Sequence, residues 1–351
     1  LTGVIGYAVW EVEHVYGSEF ADYIKGSARS NRLYGFGGAD HIWGYGNDDL
    51  LVGGDGDDWL AGGAGDDSLD GGADQDTLYA TSDATFTLSN TSLVTTIAGI
   101  SYTDVLASLE LAELTGNTVN NTFAIVGWTG EVTTIGGGGS DKINVNKDSD
   151  FTLGANYVST SDGMVIHPVQ IGEVNLSGGA SPNKFTLAGW TGTASLSGGG
   201  GTDTVFATVP ADTDLSDTSL SVAGQAGIGL QAIENADLTG TGNLTLTVSG
   251  WTGQGTLRAR GGSVHATKNT DFTISDSHLA SGDGTSLNLV GVVDVYLAGG
   301  GSGNRFDVTG CRGTRAGLVP DFDPRRQDWR RDLAPMSPGA RFAALAAREA
   351  L

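Results

Sequence analysis

Residues 17–79 repeat with a period of nine residues, seven times without a gap. The repeated unit reads Gly-Gly-x-Gly-x-Asp-x-(Leu/Ile)-x. Position six is occupied in turn by Asp22, Asn31, Asp40, Asp49, Asp58, Asp67 and Asp76. Position eight is occupied by Ile24, Leu33, Ile42, Leu51, Leu60, Leu69 and Leu78. A repeat this regular predicts identical small units that stack on one another and share one continuous core.

Each nine-residue block is predicted to combine a loop with an extended piece. Glycines at positions one, two and four permit positive φ, and the last three residues alternate polar and apolar. Six residues then form the loop and three the extended piece, and two blocks make one coil. The aliphatic side chain at position eight points inward from alternate sides, so the loops of blocks n and n+2 stack along one edge.

Stacked loops of this composition predict calcium sites. Ca²⁺ takes six to eight oxygen ligands, and each Gly-rich loop offers carbonyl groups and one carboxylate. The best pockets are expected between loops 35–40 and 53–58, loops 44–49 and 62–67, and loops 53–58 and 71–76. The predicted ligands are Asp22, Gly35, Gly37, Asp40, Gly44, Gly46, Asp49, Gly53, Asp55, Gly56, Asp58, Gly62, Ala64, Gly65, Asp67, Gly71, Ala73 and Asp76.

Pockets that use the first two blocks are expected to be weak or empty. Phe20 and Arg29 replace the glycine of position four there, and Asn31 replaces the aspartate. Asp and Gly together also favour plain turns, which is the alternative interpretation of any single block. Seven blocks in one register favour the metal instead. Residues 1–79 hold 15 Asp and Glu against three basic residues, a net charge of −12. Stacked carboxylates repel without a counter-ion, so metal is predicted to supply folding free energy.

Residues 9–22, Val-Trp-Glu-Val-Glu-His-Val-Tyr-Gly-Ser-Glu-Phe-Ala-Asp, resemble the segment that precedes such blocks in RTX, or hemolysin-type calcium-binding, proteins. With the nonapeptides, the resemblance covers about 70 residues. It implies a right-handed parallel β-roll with Ca²⁺ as cofactor, export through a type I secretion channel as an unfolded chain, and folding in extracellular calcium. The sequence departs from the best-known members because no protease, lipase or pore-forming domain accompanies the repeats.

A longer repeat follows the nonapeptides. The motif Gly-Trp-Thr-Gly recurs around Trp128, Trp190 and Trp251, and Gly-Cys-Arg-Gly stands at residues 310–313, where a fourth copy is due. Short Thr, Val, Leu and Phe segments between Gly-rich turns predict about three coils of a parallel β-solenoid per repeat, with a tandem of β-sandwiches as the alternative. These repeats resemble, more weakly, those of very large bacterial surface and matrix proteins.

The predicted fold is therefore all-β, a right-handed parallel β-roll followed by a parallel β-solenoid of ~60-residue repeats. The predicted parts are a lead-in strand at 1–16, the roll at 17–79, the solenoid at 80–310 and an Arg/Ala-rich tail at 311–351. Residues 137–141 and 199–203 look like single calcium loops. They lack partners at nine-residue spacing, so weak metal binding at most is expected there.

The repeated tryptophans allow two interpretations. One per repeat, they could form an aromatic ladder for a polysaccharide, or each could pack against the glycines of its own turn. We favour the second interpretation, because solenoid repeats commonly retain such packing residues. Trp10, Trp43 and Trp59 are open to both interpretations.

Composition and motifs exclude several classes of protein. The chain has 57 Gly among 351 residues, without the triplet period of collagen. One cysteine, Cys311, excludes an internal disulfide framework, and no apolar run is long enough to span a membrane. A net charge of −23 argues against nucleic acid as a partner. The five histidines show no zinc-site spacing and no nucleophile elbow occurs, so no enzymatic activity is predicted.

The tail differs from the rest of the chain. Eight of the 13 arginines follow Gly310, and the end is alanine-rich and therefore helix-prone. We interpret this change as a reading-frame slip or a mis-joined end, with a C-terminal secretion signal as the alternative. The absence of Met at Leu1 predicts a fragment of a longer protein, or export without an N-terminal signal.

Two functional classes remain. The first is a non-catalytic, calcium-folded structural or adhesive segment of a secreted or cell-surface protein. The second is an accessory region of a secreted enzyme, such as a protease, a lipase or a polysaccharide-active enzyme, whose catalytic domain lies upstream. The predicted partners are calcium ions, together with a cell-surface polysaccharide or other repeats of the same protein. The predicted location is extracellular.

Overall fold

The computed structural model describes residues 13–309 and the backbone of the strand Arg341–Ala346. Residues 1–12, and the residues from 310 onward outside that strand, including Cys311, lie outside the described part. The described residues are all-β, and no helix able to cross a membrane occurs among them. They divide into two compact units, Leu1–Ser177 and Gly178–Leu351, each containing two sheets.

The nonapeptides form a parallel β-roll in the first unit. Its strands are β1 (His14–Tyr16), β2 (Tyr23–Lys25), β3 (Arg32–Gly37), β4 (His41–Gly46), β5 (Leu50–Asp55), β6 (Trp59–Ala64), β7 (Ser68–Ala73) and β8 (Thr77–Thr81). Odd-numbered strands pair in one sheet and even-numbered strands in the other. The register is 18 residues, so that Leu33 faces Leu51 and Ile42 faces Leu60. The predicted stacking of block n on block n+2 is confirmed.

The core of the roll consists of the position-eight side chains. Leu33, Ile42, Leu51 and Leu60 are fully buried, and Leu69 and Leu78 are almost so. Since consecutive blocks lie in opposite sheets, their aliphatic side chains enter the core from opposite sides. Each stacked layer removes apolar surface from water, which is the main favourable term available to so small a coil. The predicted core is confirmed.

The strands are longer than predicted, and the glycines act differently. Most strands of the roll have six residues, because position seven of one block continues through position three of the next. Positions two and four have positive φ, as at Gly54 and Gly56 (121° and 117°), as predicted. Position one does not. Gly53 is required because a Cβ there would lie 2.5 Å from the Gly71 carbonyl oxygen and would collide with the Asp58 carboxylate.

The rest of the first unit continues the two sheets. Its strands are β9 (Thr85–Ser89), β10 (Ser92–Ile97), β11 (Ile100–Ala107), β12 (Leu111–Thr115), β13 (Thr122–Ile125), β14 (Glu131–Ile135), β15 (Lys142–Asn146), β16 (Phe151–Gly154), β17 (Val158–Thr160), β18 (Val165–Val169) and β19 (Glu173–Ser177). Most pairings are parallel, as between β12 and β14. Parallel pairing between successive coils shows that the β-sandwich alternative is wrong.

Two antiparallel excursions interrupt this unit. Strands β9, β10 and β11 form an antiparallel meander in one sheet, where β11 pairs with β7 and β9 with β13. Strands β16, β17 and β18 form a second meander in the other sheet, where β18 pairs with β14. Each meander places three strands where a plain coil would place one.

The second unit repeats this arrangement. Its strands are β20 (Lys184–Ala188), β21 (Thr193–Ser197), β22 (Thr204–Val209), β23 (Thr213–Ser216), β24 (Ser219–Val222), β25 (Ile228–Gln231), β26 (Asn235–Gly240), β27 (Thr245–Gly250), β28 (Gln254–Arg258), β29 (Ser263–Lys268), β30 (Phe272–Ser275), β31 (His278–Ser281), β32 (Ser286–Val290), β33 (Asp294–Gly299), β34 (Phe306–Val308) and β35 (Arg341–Ala346). The meanders are β23 to β25 in one sheet and β30 to β32 in the other.

The helix-prone end of the tail is not helical where it is described. Strand β35 pairs in parallel with β33 over six residues. The free N–H and C=O groups at the edge of a sheet offer hydrogen bonds that outweigh the weak helix propensity of alanine. The expectation of a helical close is therefore wrong for this segment, whereas the proposed frame slip stays a prediction.

The tryptophans of the long repeat pack on their own turns. Trp128 and Trp251 are 1% and 0% exposed, and Trp190 is half-buried. A Cβ at the last glycine of each motif would lie within 3.2 Å of the tryptophan ring, at Gly130, Gly192 and Gly253. The packing interpretation is confirmed. An aromatic ladder is wrong for Trp128 and Trp251, because a buried ring cannot stack on a sugar.

A lysine fixes each of the two buried tryptophan turns. The Lys147 ammonium donates to the Trp128 carbonyl at 2.6 Å and pairs with Asp162 at 2.7 Å. In the second unit Lys268 donates to the carbonyl of Trp251 and pairs with Asp283 at 2.9 Å.

Candidate metal centre

The position-six side chains form two columns along the edges of the roll. From Asp40 onward, each position-six Oδ1 atom accepts the backbone N–H of the position-six residue 18 positions earlier, at 2.6–2.9 Å. One column contains Asp22, Asp40, Asp58 and Asp76, and the other contains Asn31, Asp49 and Asp67. The same coil geometry determines where the side chains of positions six and eight lie, because the strand that buries the position-eight aliphatic residue begins directly after position six.

Two carboxylates outside the nonapeptides continue the columns. Asp104, on β11, accepts the N–H of Asp67 at 3.1 Å, and Glu110 accepts the N–H of Asp76 at 3.1 Å. Sequence reasoning missed both residues, because they lie 37 and 34 residues after their partners rather than 18. The only signal in the sequence was an acidic residue near the start of an apolar segment.

The position-five aspartates form a further ladder that the sequence analysis did not anticipate. Asp48 accepts the N–H of Asp66 at 3.0 Å, and Asp57 accepts the N–H of Gln75 at 3.0 Å. Asp66 accepts the N–H of Thr103 at 2.7 Å. These bonds run in the opposite direction to those of position six, so loop 44–49 is joined twice to loop 62–67, and loop 53–58 twice to loop 71–76.

The second carboxylate oxygen of position six is buried and has no hydrogen-bond partner. This holds for Oδ2 of Asp40, Asp49, Asp58, Asp67 and Asp76. Each oxygen lies against the position-one glycine of its own block. For Asp40, Asp49 and Asp58 the position-one carbonyl of block n+2 is also close, as at Gly53 and Gly71, and for Asp76 the Ser108 carbonyl takes this place. A buried carboxylate oxygen without a partner costs several kcal/mol in rough terms, so it requires a proton or a cation.

The first two blocks lack this feature. The N–H of Ser18 donates to Oδ2 of Asp22 at 2.6 Å, and the N–H of Ser27 donates to Oδ1 of Asn31 at 2.6 Å. In later blocks position two has positive φ, as at Phe36 (80°), which turns that N–H away. The loops expected to be weak sites therefore satisfy their side chains internally.

The predicted carbonyl ligands lie in the same stacked loops. Positions one and three of the blocks begin and end the glycine-rich half of each strand, and position four is the left-handed residue at Gly56 and Gly65. Two position-three carbonyls, those of Asp55 and Ala73, already accept one backbone N–H each, from Gly38 and Gly56. A carbonyl oxygen has a second lone pair, so these groups remain able to ligate a cation.

Burial raises the pKa values of the column carboxylates. The pKa is raised to about 7 for Asp49, Asp76 and Asp104 and to about 6 for Asp40 and Asp67. Desolvation is the largest cause, and neighbouring carboxylates add to it, while the backbone hydrogen bonds lower the values. Without a cation, the column carboxylates of the folded loops are therefore partly protonated at neutral pH.

The donor set fits a hard cation. Among residues 13–309, no three His, Cys, Asp or Glu side chains converge as a metal cluster. A metal in these loops must therefore take most of its ligands from backbone carbonyls, together with the orphaned Oδ2 atoms. An all-oxygen set rich in carbonyls suits Ca²⁺, whose ligand number and geometry are flexible, rather than zinc or Mg²⁺.

A family model for the RTX calcium-binding nonapeptide repeat, in four copies, matches residues 16–51 and 52–84. Residues 16–84 are therefore similar to RTX calcium-binding nonapeptide repeats. RTX nonapeptide repeats bind Ca²⁺, so calcium is the cofactor of this part of the chain. The match covers about a fifth of the chain, and the long repeats lie outside it. No curated protein is significantly similar to the chain.

The loops at residues 137–141 and 199–203 are not isolated, contrary to the expectation from their spacing. The N–H of Asn121 donates to Asp141 at 2.7 Å, and the N–H of Asn183 donates to Asp203 at 2.7 Å. Each loop therefore stacks on a loop 20 residues earlier. The stacking was missed because Asn replaces Asp in the lower loop, which hides the motif.

The outer faces of the roll carry stacked aromatic rings. Tyr23 and His41 stack at 4.8 Å between ring centroids, and Trp59 and Tyr79 stack at 4.6 Å. Trp43 lies 5.6 Å from His41. The Tyr23–His41 and Trp59–Tyr79 contacts join neighbouring strands of one sheet, so they stabilise cross-strand pairs, while Tyr23 remains 73% exposed.

Proposed function

We propose that the chain is a non-catalytic structural or adhesive segment of a secreted protein, in which calcium binding drives folding outside the cell. The observation that carries the proposal is the buried Oδ2 atom of Asp40, Asp49, Asp58, Asp67 and Asp76. The roll buries these charges without a partner, so its folding free energy depends on a bound cation.

Calcium would be held between stacked loops. The column carboxylates and the position-one, position-three and position-four carbonyls would supply its oxygen ligands, and the ion would neutralise carboxylates that otherwise repel. The chain's own residues fix the direction of each ligand, because the Oδ1 hydrogen bond orients every carboxylate before the ion arrives. Extracellular calcium, on the order of 1 mM, is within the affinity range of extracellular calcium modules.

The location and route of export follow from the same property. A chain that stays unfolded where calcium is scarce can pass through a type I secretion channel and fold where calcium is abundant. The alternating meanders then give the long repeats a regular framework for contacts with other repeats of the protein or with a surface polysaccharide. An accessory role beside an upstream enzyme domain is the second candidate, and the same calcium-driven folding would serve it.

A calcium titration of the full chain tests the proposal. Far-UV circular dichroism in chelator should show a largely disordered nonapeptide region. A cooperative gain of β signal should occur at roughly 0.1–1 mM Ca²⁺, with no response to Mg²⁺ at the same concentrations. Hydrogen exchange should place the new protection in residues 16–84. Full protection of that segment in chelator would overturn the proposal.

A further inference from the structure

The loop at residues 136–141, outside the matched repeats, has the local conformation of the calcium loops. It reads Gly-Gly-Gly-Gly-Ser-Asp, which fills positions one to six of a nonapeptide. Gly137 and Gly139 have φ of 85° and 103°, compared with 80° and 101° at positions two and four of the block that begins at Gly35. The backbone turn is therefore the same.

The carboxylate of this loop is oriented and orphaned like those of the roll. Asp141 is 2% exposed, and its Oδ1 atom accepts the N–H of Asn121 at 2.7 Å. Its Oδ2 atom is buried without a hydrogen-bond partner. A Cβ on Gly136 would lie 2.5 Å from Oδ2 and would also collide with the carbonyl of Gln170. The cradle around the oxygen is thus closed by backbone, as in the roll.

Loop 116–121, which stacks on loop 136–141, contributes a second oxygen that has no hydrogen-bond partner. Asn121 is 1% exposed, and its amide nitrogen donates to the carbonyl of Ala84 at 3.0 Å. Its Oδ1 atom has no partner. A Cβ on Gly116 would lie 2.7 Å from the carbonyl oxygen of Gly136 and would collide with this Oδ1 atom. The two stacked loops therefore hold one carboxylate oxygen and one amide oxygen without partners, with the Gly136 carbonyl beside Asn121 and the Gln170 carbonyl beside Asp141.

We propose that the stacked loops 116–121 and 136–141 form a calcium site in the long repeat, separate from the nonapeptide roll. Only oxygen ligands are available there, which selects a hard cation. The pair of loops carries one carboxylate, whereas a pair in the later blocks of the roll carries two. Fewer charged ligands lower calcium affinity, so this site should fill after the roll, at calcium concentrations on the order of 1 mM.

The loop at residues 198–203 reproduces the same turn in the second unit. Gly199 and Gly201 have φ of 93° and 102°, and the Oδ1 atom of Asp203 accepts the N–H of Asn183 at 2.7 Å. The proposal for residues 116–141 does not depend on this second copy, but the recurrence shows that the turn belongs to the long repeat.

Calcium binding to the full chain, measured by equilibrium dialysis up to several millimolar Ca²⁺, tests the site. Asp141→Asn should bind one ion fewer than the unmodified chain. Asp83→Asn, which neutralises an exposed carboxylate in the same unit, should bind the full number. Asparagine occupies the equivalent position at Asn121, so Asp141→Asn should fold. Thermal unfolding of the variant in chelator at or above the temperature of the unmodified chain checks this, because the variant removes a buried charge that has no partner.

The outcome separates this site from the roll. Asp58→Asn should lose ions that fill at lower calcium concentrations, whatever Asp141→Asn does. If Asp58→Asn loses ions and Asp141→Asn keeps the full number, the long-repeat site is refuted and the roll stands. If the unmodified chain binds no calcium, the proposed function fails as well. Gly136→Ala, which fills the cradle and keeps the carboxylate, should also lose one ion, and its failure to do so would equally overturn the site.

Discussion

A single methyl group added at Gly53 should weaken metal binding without straining the backbone of the loop. Gly53 has no positive φ, so alanine fits its backbone without strain. Its Cβ would nevertheless meet the Asp58 carboxylate and the Gly71 carbonyl oxygen, the latter at 2.5 Å. The second contact is with backbone, which cannot move aside as a flexible side chain would. Overpacking of this kind costs about 1–3 kcal/mol.

The effect should appear in the calcium midpoint of folding. A loss of about 2 kcal/mol spread over three cooperating ions raises the midpoint about threefold, since 1.4 kcal/mol is a factor of ten for one ion. Gly46→Ala is the matched control, because its Cβ would find only ordinary contacts at 3.8 Å and no positive φ. Reduced entropy of its unfolded chain should stabilise it by about 0.4–1 kcal/mol.

Circular dichroism during a calcium titration of the two full-length variants and the unmodified chain provides the assay. Gly53→Ala should shift to higher calcium and bind fewer ions, whereas Gly46→Ala should stay at the original midpoint or slightly below it. Equal midpoints for both variants would refute the cradle, because the only difference between them is what their methyl groups touch.

Three further outcomes are expected. In chelator, β signal should increase as pH falls from 7.5 towards 5: the raised carboxylate pKa values give stability that is full below about 4 and is lost as pH rises through about 6 to 7. Loss of β signal on acidification would contradict this. Trp251→Ala should lower unfolding free energy by about 3–5 kcal/mol, and half-buried Trp190→Ala by much less, as measured by denaturant unfolding; equal losses would contradict the burial argument. Lys268→Met should lower the free energy of unfolding by about 2 kcal/mol. The pKa of Asp283 is lowered to about 2, so the difference in stability between the unmodified chain and the variant should disappear in acid as the aspartate protonates. A variant with unchanged unfolding at pH 7 would show that this ion pair contributes nothing.

The features that could be predicted from the sequence are those that recur with the nine-residue period. The core at Leu33, Ile42 and Leu51 and the carboxylate columns follow from nine-residue spacing, because each residue type has one role in the coil. Asp104 and Glu110 could not be predicted, since they extend the columns from strands that follow a meander and therefore lie at irregular distances along the chain. Their role depends on where a long excursion returns to the sheet, which no local pattern encodes.

The role of position one shows a second limit. A glycine such as Gly53 looks in the sequence like the glycines at positions two and four, whose φ is positive. Its function is instead to leave space beside a carboxylate of its own loop and a carbonyl of the next coil. Conformational and steric requirements select the same residue, so composition alone cannot distinguish them.

The long repeat has a structural period twice its sequence period. In each unit five crossovers separate the end of one meander from the start of the next, so the two meanders fall in opposite sheets. Each meander adds two strands to its sheet, about 10 Å at ordinary strand spacing. If every meander lay in the same sheet, that sheet would outgrow its partner by this amount at each repeat and the coils could not stay stacked. An odd number of crossovers removes the conflict, because both sheets then lengthen equally over two repeats. The tryptophan turns follow the same alternation. Lys147 and Lys268 donate to the carbonyls of Trp128 and Trp251, whereas at the intervening Trp190 the indole N–H donates to the Thr193 carbonyl and the ring is half-buried.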